Sequence, residues 1–319
     1  MNSSLEHTSS RPLYGCMGLG GAGNEPGYGA VEIAQAESVI EASLGVGITA
    51  FDHADIYNRG KAEAVFGEVL SRAPDLRNRI QIQTKCGIRL PNAGELGFYD
   101  LRPGSIAARV AESLERLHTD WIDVLLLHRP DPLTHPADIA QALTSLHEQG
   151  LVRQFGVSNM SAPQIDHLQR YLELPLMANQ LEMSLHSRDW VEAGVLVNTS
   201  SAASNGFPLG TVEYCMANGL QLQAWGSLAQ GRYSGRRGGD DVDAATGQLV
   251  GTIAAAHHTT PEAVVLWWLQ QHPAGIAPVI GSTNPGRIRA CADAVNRPPA
   301  LTHEEWYELW TTARAANLP

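Results

Sequence analysis

Cysteine and long apolar runs are scarce in this chain of 319 residues. The four cysteines stand far apart and form no C-x-x-C pair, which favours reduced, buried thiols over disulfides or a metal site. No run approaches the roughly 18 consecutive apolar residues of a membrane span. Residues 1–11 lack the apolar segment of a secretory signal. We therefore expect a cytoplasmic protein that does not bind membranes. The cysteines are Cys16, Cys86, Cys215 and Cys291.

Lysine is even scarcer, because only Lys61 and Lys85 occur among the 22 basic residues. The formal net charge is −11, the pI is near 5.5 and no dense basic run occurs, which argues against nucleic acid as a partner. Nothing in the sequence indicates an oligomer, so a monomer is the default expectation. Lys61 lies in a polar turn. Lys85 ends an apolar strand, where a compact, titratable ammonium group can act as a guanidinium cannot.

About eight short, mostly buried strands alternate with helices along the chain. Such alternation is typical of parallel strands joined by crossover helices. Eight units over this length favour an α/β fold of the closed (β/α)8 type, a TIM barrel with additional C-terminal helices, over an open sheet. We expect a flexible N-terminal tail at residues 1–12 and a single barrel domain at residues 13–319.

The connections between these elements also carry predictions. The Ser161-x-x-Gln164 and Thr302-x-x-Glu305 patterns predict capping boxes at helix starts, and Asn284-Pro285 predicts another start. Residues 86–103 read as a long loop, residues 181–219 as a polar segment with one helix, and residues 226–247 as a mobile loop.

Polar side chains follow the predicted strands, at the end of the barrel where the active site of such a fold lies. Four of them form a chemical unit. A tyrosine, with a reference pKa near ~10, exchanges protons poorly at neutral pH, and an adjacent ammonium group lowers that pKa. A buried ammonium group needs a counter-ion, and a histidine can add a hydrogen bond beside the reacting atom. The four are Asp52, Tyr57, Lys85 and His128.

The strings around these residues occur in order along the chain. They are Phe51-Asp52-His53-Ala54-Asp55-Ile56-Tyr57, Gln83-Thr84-Lys85-Cys86, Leu125-Leu126-Leu127-His128-Arg129-Pro130, Gly156-Val157-Ser158-Asn159 and Asn179-Gln180. Together they resemble the aldo-keto reductase family over nearly the whole chain, from about Gly15 to the last helices. The resemblance is nearest to a bacterial branch of oxidoreductases with the His-Ala-Asp-Ile-Tyr string.

This resemblance implies NADP-dependent reduction of an aldehyde or ketone. Tyr57 would donate the proton, Lys85 paired with Asp52 would lower its pKa, and His128 would orient the carbonyl group. The hydride would come from a nicotinamide ring stacked on Trp225. The carboxamide group of that ring would be held by Ser158, Asn159 and Gln180.

The same resemblance assigns the rest of the cofactor site. The Gly281-Ser282-Thr283-Asn284-Pro285-Gly286-Arg287 segment would bind the adenosine 2′-phosphate, with Arg287 as a bidentate donor, and this favours NADP over NAD. Further predicted contacts lie in the first loop and in the loop over the pyrophosphate. They are Gly18, Leu19, Gly20, Gly226, Leu228 and Arg232.

Two other functions are compatible with the residues. An NADP-binding sensor or regulatory barrel could retain the same four residues with vestigial turnover. A metal-dependent barrel hydrolase could use aspartates and histidines as ligands, although a lysine at a neighbouring strand end argues against a catalytic metal and no metal is expected. The possible ligands are Asp52, His53, Asp55, His128 and Asp131.

Overall fold

The computed structural model describes residues 10–23, 27–92, 94–235 and 239–319. Eight parallel strands, numbered β1 to β8, form a closed barrel in which each strand pairs with its neighbours in chain order and the last pairs with the first. The prediction of a (β/α)8 barrel is therefore confirmed. The strands are Leu13–Gly15, Ala50–Asp52, Gln81–Cys86, Ile122–Leu127, Val152–Ser158, Leu176–Glu182, Gln221–Trp225 and Ala277–Ile280.

Twelve α-helices, numbered α1 to α12, lie among the described residues. Successive helices α1 to α5 pack side by side around the barrel, and α12 packs on α8. None of the described helices combines the length and the hydropathy that a membrane span requires. The helices are Ala30–Gly45, Lys61–Arg72, Pro103–Leu117, Pro136–Glu148, Ala162–Gln169, Asp189–Val195, Thr211–Ala217, Asp241–Ala256, Pro261–Gln270, Pro285–Ala290, Ala292–Asn296 and His303–Arg314.

The hydrophobic core lies between the strands and the surrounding helices. Strand β4 is buried at all six of its positions, as expected for a parallel strand with both faces covered. On the helix layer, Trp268 of α9 stacks on Trp306 of α12 with ring centroids 5.1 Å apart. Each of these indole N–H groups also donates to the other residue's carbonyl oxygen. Trp190 and Trp310 extend this tryptophan cluster, which joins the C-terminal helix α12 to helices α6 and α9 of the outer layer.

The predicted helix starts are confirmed. Helix α5 begins after Ser161, whose backbone N–H donates to Gln164 at 2.9 Å. Helix α12 begins after Thr302, which exchanges hydrogen bonds with Glu305. Helix α10 begins after Asn284, whose side chain accepts from the second residue of the helix.

The loop predictions need correction. The predicted loop at 86–103 contains a short antiparallel hairpin, in which Ile88–Arg89 pairs with Phe98–Tyr99. The segment at 181–219 contains two α-helices, α6 and α7, rather than one. These helices have only seven residues each, too few for a helical period to stand out in a polar sequence.

The predicted mobile loop at 226–247 ends earlier than expected, because α8 begins at Asp241. Asp240 caps this helix and accepts a hydrogen bond from the backbone of Asp243 at 2.9 Å. The capping aspartates do not stand out in the sequence, because the surrounding run is rich in Gly, Arg and Asp. At the N-terminus, residues 1–9 of the predicted tail lie outside the described residues, while Ser10 already accepts a hydrogen bond from Gln270.

Candidate active site

The four residues of the predicted chemical unit meet at the C-terminal mouth of the barrel. Lys85 Nζ donates to Asp52 Oδ2 at 2.7 Å and to the Tyr57 hydroxyl at 3.1 Å. The His128 ring lies edge-on to the Tyr57 ring, with centroids 6.1 Å apart. We call Asp52, Tyr57, Lys85 and His128 the tetrad below.

The pairing register of strands β2 and β3 explains why the Asp52 and Lys85 side chains lie together. Asp52 of β2 is the register partner of Gln83 in β3. Side chains two residues apart on a strand share a face, so Lys85 stands one step above Gln83 and reaches over Asp52. Asp52 and Lys85 are each only 1% exposed. An ion pair this deeply buried requires each charge to keep its partner.

Burial and charge set the protonation states of the tetrad. Burial lowers the pKa of Lys85, but Asp52 and Tyr57 more than offset this, and that pKa lies above its ordinary value. Burial raises the pKa of Tyr57, while the charge of Lys85 lowers it by less. Burial, aided by Lys85 and Arg129, lowers the pKa of His128 to about 3, so its imidazole is neutral at neutral pH.

The prediction of an unusually acidic tyrosine is therefore wrong for the net pKa of Tyr57. The contribution of Lys85 has the predicted sign, but the cost of burying a phenolate is larger. Tyr57 consequently holds its proton at neutral pH, which is the form that a proton donor requires.

The backbone after Tyr57 is held by a residue that the sequence analysis did not single out. Asn58 has a φ of 48°, and the next two residues have φ of 58° and 87°. Asparagine tolerates this left-handed region better than most residues. The Asn58 side chain donates to the carbonyl oxygens of Met17 and Leu19 at 3.0 and 2.6 Å, which ties the Tyr57 turn to the loop after β1.

The predicted carboxamide-binding residues lie together beside the tetrad. Ser158 Oγ donates to the Gln180 carbonyl oxygen at 2.9 Å. The Asn159 side chain donates to Ser158 Oγ and to the His128 carbonyl oxygen, and its own oxygen accepts from the Trp225 indole at 3.2 Å. Gln180 Oε1 receives no hydrogen bond from another described residue. The site therefore offers a polar acceptor and a partly exposed aromatic ring, which suit a nicotinamide group.

The first and last loops of the barrel also lie side by side. A Cβ atom on Gly18 would stand 3.0 Å from the Thr283 side chain, and Tyr14 donates to the Ser282 carbonyl oxygen at 2.9 Å. Arg287, on the short helix that follows, is exposed, and no hydrogen bond or ion pair joins its side chain to another described residue. Gly281 is exposed in the same loop. An exposed arginine beside exposed glycine backbone suits a phosphate group.

The remaining predicted cofactor contacts have mainly structural surroundings. Leu19 is fully buried, and a Cβ atom on Gly20 would stand 2.7 Å from the backbone of Lys61. Gly226 has a φ of 70°, and Leu228 packs on the core. Arg232 forms an ion pair with the Asp243 carboxylate. Cofactor binding by these residues remains a prediction.

A layer of polar side chains, which includes Asp52 of the tetrad, lies in the barrel interior. Its members come from two register pairs, Asp52 with Gln83 and Gln180 with Gln223. Barrel interiors are usually filled by branched apolar residues. We call these four residues the polar layer. The sequence carried a signal for it, because Gln83 and Gln223 each precede a strand-end residue, Lys85 and Trp225, by two positions and so share its face of the strand.

The possible metal ligands do not form a metal site. Among the described residues, no group of three or more His, Cys, Asp or Glu side chains is placed to hold a metal ion. His53 packs edge-on against Phe66, and burial lowers its pKa to about 3. Asp131 accepts from the backbone of Leu101 and from Thr134, which joins two loops of the mouth.

Asp55 is buried behind the Tyr57 turn. Neither carboxylate oxygen has a hydrogen-bond partner among the described residues. Burial, and then the nearby charge of Glu63, raises the pKa of Asp55 to about 7. Asp55 is thus a buried acid whose ionisation is disfavoured, rather than a group exposed to ligands.

A cleft of about 780 Å³ opens beside Asn159, and none of the four tetrad residues lines it. Arg129, which directly follows His128, and Asn159 both line it. No hydrogen bond or ion pair joins the Arg129 side chain to another described residue. Seven of the thirteen other lining residues are polar, and the rest are Gly206 and the apolar Met160, Leu181, Trp190, Phe207 and Pro208. The polar ones are Ser161, Gln164, Glu182, His186, Ser187, Asp189 and Thr211.

Comparison with known proteins agrees with this geometry. Residues 16–311 match the model of the aldo/keto reductase family. The chain is 35% identical over 316 residues to the uncharacterized oxidoreductase YcsN of Bacillus subtilis, covering 97% of this chain and 96% of that protein. It is 36% identical over 285 residues to 6-dehydroglucose reductase of Agrobacterium fabrum, covering 88% of each.

A solved structure has the same fold. Glycerol dehydrogenase AKR11B4 from Gluconobacter oxydans superposes with a TM-score of 0.79 at 22% identity, covering 97% of this chain and 93% of that one. The family match and the curated relatives both extend over most of the chain. This protein therefore belongs to the aldo/keto reductase family and is an oxidoreductase.

Proposed function

We propose that this enzyme reduces an aldehyde or ketone to the alcohol, with Tyr57 as the proton donor. NADP(H) is the cofactor, as in the aldo/keto reductase family to which the chain belongs. The observation that carries the proposal is the 3.1 Å hydrogen bond from Lys85 to the Tyr57 hydroxyl, at the mouth of the barrel.

The tetrad can move one proton at a defined atom. Tyr57 Oη gives its proton to the carbonyl oxygen of the substrate, and Lys85 stabilises the phenolate that remains. Asp52 holds Lys85 in place and balances its charge. When bound, the reduced cofactor supplies a hydride to the carbonyl carbon. Solvent then returns a proton to Tyr57.

His128 has a different task from Tyr57. With its pKa lowered to about 3, its ring is uncharged at neutral pH, so the imidazolium form is not available to donate a proton. The neutral ring can still form hydrogen bonds. Its ring stands against Tyr57. A neutral imidazole protonated on the nitrogen that faces the mouth can donate to the same carbonyl oxygen and orient it.

The residues that would hold the cofactor lie on both sides of the tetrad. Ser158, Asn159 and Gln180 would bind the carboxamide group, and Trp225 would stack on the ring. Arg287 would bind the 2′-phosphate, which favours NADP(H) over NAD(H).

The cleft beside Asn159 favours a substrate with several hydroxyl groups. Its wall offers donors and acceptors at several points, together with Arg129, whose side chain has no hydrogen bond or ion pair with another described residue. A site built to hydrogen-bond hydroxyl groups rejects analogues that lack them. Since a relative at 36% identity is named 6-dehydroglucose reductase, a sugar-derived aldehyde is the substrate class that we propose.

The test is turnover of the purified protein with NADPH and three carbonyl substrates: 6-dehydroglucose, glyceraldehyde and benzaldehyde. We expect reduction of all three, with the highest kcat/KM for 6-dehydroglucose. A higher value for benzaldehyde would overturn the sugar assignment. Absence of turnover on every substrate, with NADPH still bound, would instead support the sensor alternative.

A further inference from the structure

We propose that Gln83 and Gln223 are positioning residues, which fix the orientation of the Gln180 amide group toward the cofactor. The inference rests on the proposed function, because it concerns how the carboxamide group is recognised. Its basis is a continuous run of hydrogen bonds through the polar layer, from Asp52 to Gln180.

The run begins at the catalytic ion pair. Asp52 Oδ2 accepts from Lys85 at 2.7 Å, and Asp52 Oδ1 accepts from Gln83 Nε2 at 2.5 Å. A carboxylate can only accept hydrogen bonds. Gln83 must therefore present its NH2 group to Asp52, and this orientation is set by charge.

The orientation passes across the barrel axis through a reciprocal pair. Gln83 Nε2 donates to Gln223 Oε1 at 2.8 Å, and Gln223 Nε2 donates to Gln83 Oε1 at 3.0 Å. If one of the two amides rotated by 180°, its NH2 group would face the other NH2 group and its oxygen would face the other oxygen, so both hydrogen bonds would be lost. The charge of Asp52 thus determines the orientation of Gln223 as well.

The last step reaches the cofactor side. Gln223 Oε1 also accepts from Gln180 Nε2 at 3.0 Å. This bond directs the NH2 group of Gln180 into the barrel and leaves Oε1 available as an acceptor. Gln83, Gln180 and Gln223 are at most 3% exposed, so water cannot readily replace the bonds that a rotated amide would lose.

An acceptor at Gln180 distinguishes between cofactor analogues. The carboxamide of NADP has an NH2 group that can donate to Oε1. The acetyl group of 3-acetylpyridine adenine dinucleotide phosphate has a methyl group in its place and cannot donate. We therefore expect the wild-type protein to prefer NADP over this analogue.

The test is calorimetric titration of wild-type and Gln223→Met protein with both dinucleotides, without substrate. Methionine has a similar volume but neither donates nor accepts as an amide does, so Gln180 loses its inward partner. We expect the affinity for NADP to fall roughly five- to tenfold, which is the range of one hydrogen bond. The affinity for the acetyl analogue should change less than twofold.

Gln221→Met is the matched control. Gln221 lies two residues before Gln223 on the same strand and accepts from it, but it does not stand between Asp52 and Gln180. Its substitution should leave the preference for NADP unchanged. Equal changes for both dinucleotides in Gln223→Met, or no change for either, would overturn the inference. Failure of the wild-type protein to bind NADP would instead count against the proposed function.

Gln223→Glu keeps the inference testable if the methionine variant folds poorly. Both the protonated and the ionised glutamic acid can accept from Gln180 Nε2. The preference for NADP should therefore stay near the wild-type level in this variant, whereas it falls in Gln223→Met. Loss of the preference in a folded Gln223→Glu variant would contradict the inference.

Discussion

The ammonium group of Lys85 lies 3.1 Å from the hydroxyl group of Tyr57, and the same nitrogen holds Asp52 at 2.7 Å. In the proposed mechanism, the cation is therefore already in place before Tyr57 loses a proton. That mechanism needs no rearrangement of charged groups during proton transfer, which is the condition for efficient electrostatic stabilisation of the transition state.

Tyr57→Phe should remove most of the carbonyl reduction. The variant keeps the aromatic ring but has no proton to give, so we expect kcat to fall by about a hundredfold or more. NADPH affinity, measured by calorimetry, should stay near the wild-type value because the hydroxyl group faces the substrate. A variant with normal turnover would show that another group donates the proton.

Lys85→Met should reduce both activity and stability. It leaves the Asp52 charge buried without its counter-ion, which costs roughly 3–5 kcal/mol. The double variant Asp52→Asn with Lys85→Met has no uncompensated charge. In urea unfolding it should recover most of the lost free energy of unfolding, while its turnover stays as low as in the single variant. Recovery of turnover would contradict the role of Lys85.

Arg287→Ala should weaken NADPH binding about tenfold or more and leave NADH binding nearly unchanged, because only NADPH carries the 2′-phosphate. Arg289→Ala is the matched control, since Arg289 is an exposed arginine on the same helix. Calorimetric titration of both variants with both dinucleotides gives the comparison. Equal losses for NADPH and NADH in Arg287→Ala would remove the phosphate assignment.

Asp55→Asn should stabilise the protein at pH 8. The pKa of Asp55 is raised to about 7 in the folded state, from an ordinary value of 3.8. The folded protein therefore binds this proton more tightly than the unfolded chain, and stability falls as pH rises between these values. The ionised acid costs on the order of 4 kcal/mol above pH 7.

The Asp55→Asn variant should accordingly exceed the wild-type melting temperature at pH 8, and the gain in unfolding free energy should shrink to about 1 kcal/mol near pH 4.5. Asp120→Asn, at an exposed aspartate, should have no such pH-dependent effect. A gain of Asp55→Asn that is the same at both pH values would contradict the assignment of a raised pKa.

The fold and the tetrad were predictable because both depend on strong local signals. Buried parallel strands give apolar runs that end abruptly, and the C-terminal ends of barrel strands converge wherever the loops lie. Asp52, Lys85 and His128 each end or follow such a strand, so their positions along the chain were enough to bring them together.

Other features depend on pairing across the barrel, which the sequence does not reveal. Gln83 and Gln223 are 140 residues apart, and only the closure of the barrel brings them into contact. The net pKa of Tyr57 depends on how deeply its ring is buried, which follows from tertiary packing. The start of α8 at Asp241 could not be recognised, because the charged, glycine-rich residues around it are typical of a loop.

The uneven placement of tryptophan affects how ligand binding can be observed optically. Four of the seven indoles belong to the tryptophan cluster on the outer helices, whereas Trp225 alone forms part of the predicted nicotinamide platform. Emission excited at indole wavelengths will therefore be quenched only in part when a dinucleotide stacks on Trp225, over a background from the other rings. In Trp225→Phe that background remains as an intrinsic probe of unfolding, while the quenching from direct stacking disappears.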